Sequence, residues 1–473
     1  MKFLKLFSTA FLVLTLFSCK KLLEVPETDN IGGDIALRTV SNNESAIMGA
    51  YTQLNPEMAI LLNSTFSDEV KVGEFYNAAT THEWQFATQD VTIRDNFNAM
   101  VVLYRAVDRA NRVIQALPNA TALKASDEAT RSRVLGEAYF VRAYAHFELV
   151  RYYSGNYDPN GLAMTYMESP TLLPQTRITQ GPYYQKIIAD INAAKPLLPN
   201  NQNDIYRANR SAAVGLHARV ALYMRDWATA AAQATEYINA LPLASRTAFP
   251  GIWQDVNNTE VAFKLARTAQ IGGRVGSLFR GTSANSTNIG TITWSPSDKI
   301  WNAYDQTNDI RFPTYFKVEP ILVAANRPAR LINKYAGGSY GSPNENVADI
   351  KVFRTGEMIL IRAEARAEQN DLAGAAADVN ALRNARITGH TNVTYATRDA
   401  AINDILLERF RELPYEGHRF WDLRRKNMPV ERLASDAPSA TSQTLPAGHF
   451  RFVMPIPQTE IQANPAYQQN PGY

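Results

Sequence analysis

The chain has 473 residues, 45% of them hydrophobic, with 48 Lys and Arg against 45 Asp and Glu. That is the composition of a globular protein long enough to bury a large core. A formal charge of +3 gives no electrostatic case for binding nucleic acid or an acidic membrane surface.

The first element is a leader. Lys2 and Lys5 precede an apolar run from Leu6 to Phe17, which ends at Ser18-Cys19. A basic start, about a dozen apolar residues and a small residue before the cut describe a secretory signal over residues 1–18. The run is too short to span a bilayer, which takes roughly 20 apolar residues. Leu16-Phe17-Ser18-Cys19 resembles a lipobox, where bacterial signal peptidases cut before a lipid-modified cysteine. Cys19 is the only cysteine, so the chain has no intrachain disulfide and no thiolate metal site. Cleavage removes Lys2 and Lys5 and takes the formal charge from +3 to +1. A lipid on Cys19 would then be the only membrane attachment, firm if it carries several acyl chains. Residues 19–38 are expected to form an extended tether, and residues 39–473 a single domain.

Helical periodicity runs from about Ser41 to Leu241. In Asn98–Leu117, apolar residues recur at Val102, Leu103, Val107, Ala110, Val113 and Ile114, the spacing of an amphipathic helix. Glu128–Tyr153 predicts a longer helix of the same kind. Pro118, Pro199, Pro242 and Pro414 stand where such patterns stop. Ahead of the first long helix, Thr65–Asn98 combines aromatic and polar residues.

Two segments resemble each other. Ala218–Trp227 and Ala363–Leu372 each precede an alanine-rich helix, and small residues pair across each turn, Ala218 with Ala230 and Ala363 with Ala375. That is the pattern of a tetratricopeptide-like helix–turn–helix unit. Two generic antiparallel hairpins would read similarly. Between them, Leu243–Ile350 is rich in Gly, Pro, Ser, Thr and Asn, yet holds Trp253, Trp294 and Trp301 with Phe279, Tyr304, Phe312, Tyr315 and Tyr335. Loops this aromatic are a packed irregular layer or a binding surface. A second helical region follows, from about Thr355 to Met428. The predicted fold is mainly α: a helical-hairpin scaffold over about 39–242 and 351–473, with a loop-rich, aromatic insertion over 243–350.

Catalytic motifs fail their structural tests. The histidines at 82, 146, 217, 390, 418 and 449 never pair at metal-ligand spacing, and His146 and His217 sit alone on alanine-rich helices. Gly337–Gly341 fits the letters G-x-S-x-G, but Pro343 follows and no apolar strand precedes, so a turn is expected. Gly272–Gly276 lacks the strand–helix frame of a phosphate loop. Glu408 and Glu412 stand one helical turn apart, interleaved with Arg409 and Arg411. Salt bridging explains them more simply than paired acid/base work.

The run Glu408-Arg409-Phe410-Arg411-Glu412-Leu413-Pro414-Tyr415-Glu416-Gly417-His418-Arg419-Phe420-Trp421-Asp422-Leu423-Arg424-Arg425 resembles the ER-x-x-EL-x-x-EG-x-R-x-x-DL-x-R signature of the SusD/RagB family. Those are outer-membrane nutrient-binding lipoproteins of Bacteroidetes. Arg362–Ala365, Met454–Pro457, Asn470–Tyr473, Ala110–Ile114 and Gly136–Tyr144 are similar to further segments of that family. Chemically, Glu408, Arg409, Glu412, Glu416, Arg419 and Asp422 suit an ion-pair network tying the last helices together, and Gly417 permits the break after Pro414.

The resemblance implies a lipid-anchored, non-catalytic protein on the outer membrane, facing the cell exterior; no cofactor and no metal-ligating residues are expected, and a structural calcium ion is left open. It would capture an oligosaccharide, or in some members a peptide, and deliver it to a SusC-like TonB-dependent transporter. A glycoside hydrolase is the weaker alternative. Sugar sites need flat aromatics with a rim of polar groups. Two segments supply both: Asp68, Phe75, Tyr76, Trp84, Arg94 and Asn96 in the first, and Arg280, Trp294 and Tyr304 in the insertion. Core packing competes with ligand contact for each of these aromatics. Trp227 and Trp421, on helices, are expected in the core.

Overall fold

The computed structural model describes residues 33–74, 84, 97–270 and 273–473. The long helices are α1 (Val40–Tyr51), α2 (Pro56–Phe66), α3 (Met100–Ala116), α4 (Asp127–Tyr153), α5 (Gln180–Ala194), α6 (Arg210–Met224), α7 (Trp227–Ala240), α8 (Thr355–Glu368), α9 (Leu372–Arg386), α10 (Arg398–Glu412) and α11 (Arg419–Arg425). From α3 to α9 each helix packs on the next, and α10 lies back against α8. The predicted helices Asn98–Leu117 and Glu128–Tyr153 are α3 and α4, displaced by at most two residues. Residues 33–38 differ from the expected tether. Gly33–Ala36 is a short helix, and the Arg38 carbonyl accepts from Thr121 N at 2.8 Å, so the folded body includes these residues. Cys19 and the signal segment lie outside the described residues.

The two similar segments share one turn. At the end of α6, Arg225 is left-handed (φ 61°), its N–H reaches Leu222 O at 3.2 Å, and Asp226 N reaches Ala221 O at 3.0 Å. At the end of α8, Asn370 is left-handed (φ 64°), its N–H reaches Ala367 O at 3.0 Å, and Asp371 N reaches Arg366 O at 2.8 Å. Both are Schellman endings, which satisfy carbonyls that a helix end would otherwise leave bare. The aspartate then caps the next helix, Asp226 accepting from Thr229 N and Asp371 from Gly374 N. The hairpins α6–α7 and α8–α9 meet through α7 and α8. Ala218, Ala230, Ala363 and Ala375 are all fully buried, so small side chains set the helix spacing. Ala363→Leu should therefore overpack this seam and cost about 1–3 kcal/mol. The same change at exposed Ala377 should leave the unfolding midpoint unmoved.

The insertion is built from three- to five-residue strands and one-turn helices. Its strands are β2 (Val261–Leu265), β3 (Trp294–Pro296), β4 (Phe316–Val318) and β5 (Arg330–Ile332), with β1 (Val70–Val72) before it and β6 (Ile350–Arg354) after it. They pair as antiparallel ribbons β1–β3, β2–β6 and β4–β5. The insertion's aromatics form a packed layer. Trp253 lies edge-on to Tyr315 and Tyr335, and Trp301 to Phe312, while Phe279 and Phe316 both pack on Tyr415.

Their hydroxyls have a specific task. Helix α10 ends at Glu412, and its last carbonyls plus the following turn need donors. Tyr304 donates to Arg411 O (2.7 Å), Tyr315 to Glu412 O (3.0 Å), Lys334 to Pro414 O (2.8 Å) and Tyr335 to Tyr415 O (3.0 Å). Gly417, at φ 80°, completes the turn. A Cβ there would also stand 3.2 Å from Ala59.

The ion-pair network exists and reaches further than expected. Arg409 holds Asp422 at 2.8 Å between α10 and α11. Glu408 and Glu412 face the insertion. Arg311 bridges both (2.6 and 3.1 Å), Arg383 joins Glu408 (2.8 Å), and Arg386 joins Glu412 to Glu260 (3.1 and 3.0 Å). Arg354 pairs with Glu412 and Glu416, and Lys334 with Glu416 at 2.7 Å. The signature supplies all of these carboxylates but Glu260, while the cations come from the insertion and its flank (Arg311, Lys334, Arg354), from α9 (Arg383, Arg386) and from the signature itself (Arg409).

Candidate functional site

The two segments singled out for ligand binding run side by side. β1 and β3 pair with Val70 opposite Pro296, Lys71 opposite Ser295 and Val72 opposite Trp294. The ladder continues outward as Gly73 N donates to Thr293 O (3.0 Å) and Glu74 N to Ile292 O (2.8 Å). Residues 279–281 lie along its other edge, where Trp294 N donates to Phe279 O and Gly281 N to Thr291 O. Asp68, Arg280 and Trp294 are thus brought to one ribbon. Tyr304 stands apart from it, bonded to Arg411.

The side chains themselves are occupied. Asp68 is buried and accepts from Arg419 at 2.8 and 2.9 Å, with Lys299 Nζ at 2.7 Å. Burial opposes its charge, yet Arg419 and Lys299 hold its carboxyl well below the usual range. Arg280 donates to Asn346 Oδ1 at 2.7 Å and stands 3.2 Å from Glu345, its guanidinium 4.7 Å above the Tyr340 ring. Trp84 donates to Phe66 O at 3.0 Å beneath the Arg432 guanidinium, 4.2 Å from the ring centre. Trp84, Trp294 and Tyr304 are all buried, at 2%, 3% and 6% exposure. The expectation of open stacking faces is corrected for these three, because their rings fill the core beneath the ribbon and the α10 turn. Phe75, Tyr76, Arg94 and Asn96 lie outside the described residues.

The open polar groups on this face are ones that the sequence reading passed over. Lys71 and Arg330 flank Asp298 at 2.7 and 2.9 Å, and Arg327 pairs with Glu74 at 2.5 Å. Each of these side chains is between a fifth and a half exposed. Beside Asp68, Glu69 is pushed up to about 8, chiefly by burial, while accepting from Tyr415 N and Ser64 Oγ. This split between neighbouring carboxyls imitates an acid/base pair. Both are 1% exposed and engaged by the fold.

Several hollows mark the described surface, three of them between about 290 and 530 Å³. The largest, about 530 Å³, is an apolar groove between α3, residues 165–175 and Tyr467, flanked by exposed Leu172 and Leu173. A second, about 320 Å³, lies in the insertion between Trp253, Gln254, Thr314 and Asn333. The third, about 290 Å³, sits where α6, α8 and α11 end and α7 begins, and Trp227 lines it. Of the six tryptophans Trp227 alone is half-buried; the other five are core residues, Trp421 as expected. Trp227 shares its helical spacing with buried Ala230, Ala234 and Tyr237, which is why periodicity assigned it to the core.

His146 and His217 are structural. Burial pushes His146 down to about 3, and it meets Tyr183 Oη at 2.9 Å and stacks on Tyr166. Burial and then Lys195 push His217 down to about 4. Gly337–Gly341 is a turn with both end glycines left-handed and Ser339 exposed, as expected. Among the described residues no group of three or more His, Cys, Asp or Glu could hold a metal, and no helix is long and apolar enough to cross a membrane.

Comparison with known proteins agrees with this architecture. Residues 291–473 match the family model described as the SusD family, and residues 30–222 match one described as starch-binding associating with outer membrane. SusD-like protein P2 of Formosa agariphila is 25% identical, with 98% of each chain covered. Among solved structures, a SusD superfamily protein from Bacteroides thetaiotaomicron superposes with a TM-score of 0.78, at 24% identity over 92% of this chain and 100% of its own. Surface glycan-binding protein A from Bacteroides fluxus does so at 0.72, with 19% identity over 92% and 99%. At such identities the structural likeness concerns the fold.

Proposed function

The chain belongs to the SusD/RagB family, and we propose that it captures an oligosaccharide at the cell surface and hands it to a SusC-like TonB-dependent transporter without cleaving it. Lipid on Cys19 holds it to the outer membrane. The observation that carries this reading is the β1–β3 ribbon, which sets the two aromatic and polar segments of the sequence side by side. The names of its relatives, a glycan-binding surface protein among them, support the ligand class. The ribbon's polar edge, Lys71, Glu74, Asp298, Arg327 and Arg330, suits the hydroxyl rim of a sugar. Ring stacking falls to Phe75 and Tyr76, with Arg94 and Asn96 as hydrogen-bonding partners.

Two measurements test it. Tyr76→Ala and Arg94→Ala should each weaken retention by a captured oligosaccharide at least tenfold in affinity electrophoresis; unchanged retention in both would remove them from the site. Cys19→Ala should release the protein from the membrane fraction and end its co-purification with a TonB-dependent transporter. A variant that stays membrane-bound would refute the anchor.

A further inference from the structure

The 290 Å³ hollow contains a buried cation with no counter-ion among the described residues. Arg424 is 7% exposed on α11. Its Nη1 donates to the carbonyls of Arg151 (2.9 Å) and Phe452 (3.2 Å), while Nε has no acceptor among the described residues. Among the described residues no carboxylate forms an ion pair at any of its nitrogens, unlike neighbouring Arg425, which holds Glu364 and Asp422. Leaving a guanidinium buried and uncompensated is costly. Burial pulls its pKa down to about 10, with no carboxylate to offset it.

Two further buried polar atoms on the same lining are unsatisfied, Tyr223 Oη and Asn156 Oδ1. The remaining lining carries Arg225 and Lys426 against the single carboxylate of Glu368, which Lys426 already engages. The walls are aromatic: Tyr157 edge-on to Tyr184 at 5.1 Å, and Trp227, the one half-buried tryptophan, whose ring centre stands 5.9 Å from Lys426 Nζ. An unpaired guanidinium selects an anion, and a planar carboxylate matches its fork best. Aromatic walls select an apolar ring face. The volume lies at the low end of ligand sites, which run about 300–1,000 Å³, and suits one ring better than a chain.

We propose that this cleft binds a single carboxylate-bearing sugar ring, a hexuronate, with its carboxylate on Arg424 and its ring face on Trp227. None of the described residues predicted to bind ligand lines it, so it is proposed as a second site. The inference rests on the capture reading only in taking the anion to be a sugar.

Glucuronate and galacturonate, titrated into the purified full chain with tryptophan fluorescence and calorimetry as readouts, should bind saturably. Glucose and acetate should each bind at least tenfold more weakly, and added salt should weaken the hexuronate. Arg424→Gln and Trp227→Ala should each lower hexuronate affinity at least tenfold. Arg424 also ties two carbonyls, so if its variant unfolds, Trp227→Ala at the open start of α7 decides the matter. Equal binding of glucose, equal binding of acetate, or unchanged affinity in Trp227→Ala would overturn the proposal. Neutral oligosaccharide binding with no hexuronate binding would also overturn it and leave capture standing. Hexuronate binding with no oligosaccharide bound would retire capture and uphold the cleft.

Discussion

Glu412→Gln should destabilise the protein by about 3–5 kcal/mol, the cost of removing one partner from a buried charge cluster. Glu412 is fully buried and is shared by Arg311, Arg354 and Arg386. The amide keeps the shape but removes the charge and turns one acceptor oxygen into a donor, so three guanidiniums lose their common anion while remaining out of water. Because Arg311 belongs to the insertion and Arg386 to α9, the loss should loosen the insertion from the scaffold. Urea unfolding followed by both far-ultraviolet dichroism and tryptophan fluorescence measures it. The comparison is Arg112→Ala, which removes an exposed pair with Asp108 and should change stability by no more than about 0.5 kcal/mol. Similar midpoints for the two variants would show that the cluster is dispensable.

The second large effect is on acid stability. Burial opposes the charge of Glu408 and Asp422, but Arg311 and Arg383 for the first, and Arg409 and Arg425 for the second, pull each down to about 2. Asp68 and Glu412 are held lower still by their arginines. In the unfolded chain such carboxyls titrate near 4. Below about pH 4.5 the unfolded chain therefore takes up protons that the native one refuses, and stability present above that value is lost as pH falls toward 2. The buried neutral His146 and His217 act in the same direction, from about 6.5 down to about 3 and 4.

Glu69 acts oppositely. Its native pKa of about 8 means the folded protein keeps a proton that the unfolded chain releases near 4.5. Its contribution is present below that value and lost as pH rises toward 8. Glu69→Gln, which mimics the protonated acid, should therefore gain on the parent progressively between about pH 4.5 and 8. A constant offset across that window would contradict a buried, protonated Glu69.

What could be read from the residues follows from the range of the interactions. Helices α3 and α4 were legible because a helix writes its buried face into spacing of three and four residues. The two helix–turn–helix units were legible through their paired small residues, whereas the Schellman turns and the capping aspartates emerged only in the structure. The β1–β3 ribbon was not, because three-residue strands joined from distant parts of the chain carry no usable period. The insertion was correctly read as aromatic and ordered, but composition does not distinguish a ring that stacks on sugar from one that seals a helix end. Tyr304 is the clear case, since its hydroxyl caps Arg411 O. Trp227 is the reverse case, a ring in register with the core that stands at its margin. The network's carboxylates were visible in the string from Glu408 to Asp422. Their cations Arg311, Lys334 and Arg354 were invisible, being set by tertiary approach.

Glycan capture is tested most directly by calorimetric titration of the purified chain with a panel of neutral and acidic oligosaccharides and tripeptides, followed by chromatography of the recovered ligand. Capture predicts saturable binding of at least one oligosaccharide, returned at its original length, with tripeptides silent. Binding confined to tripeptides, or recovery of shortened oligosaccharides, would contradict it.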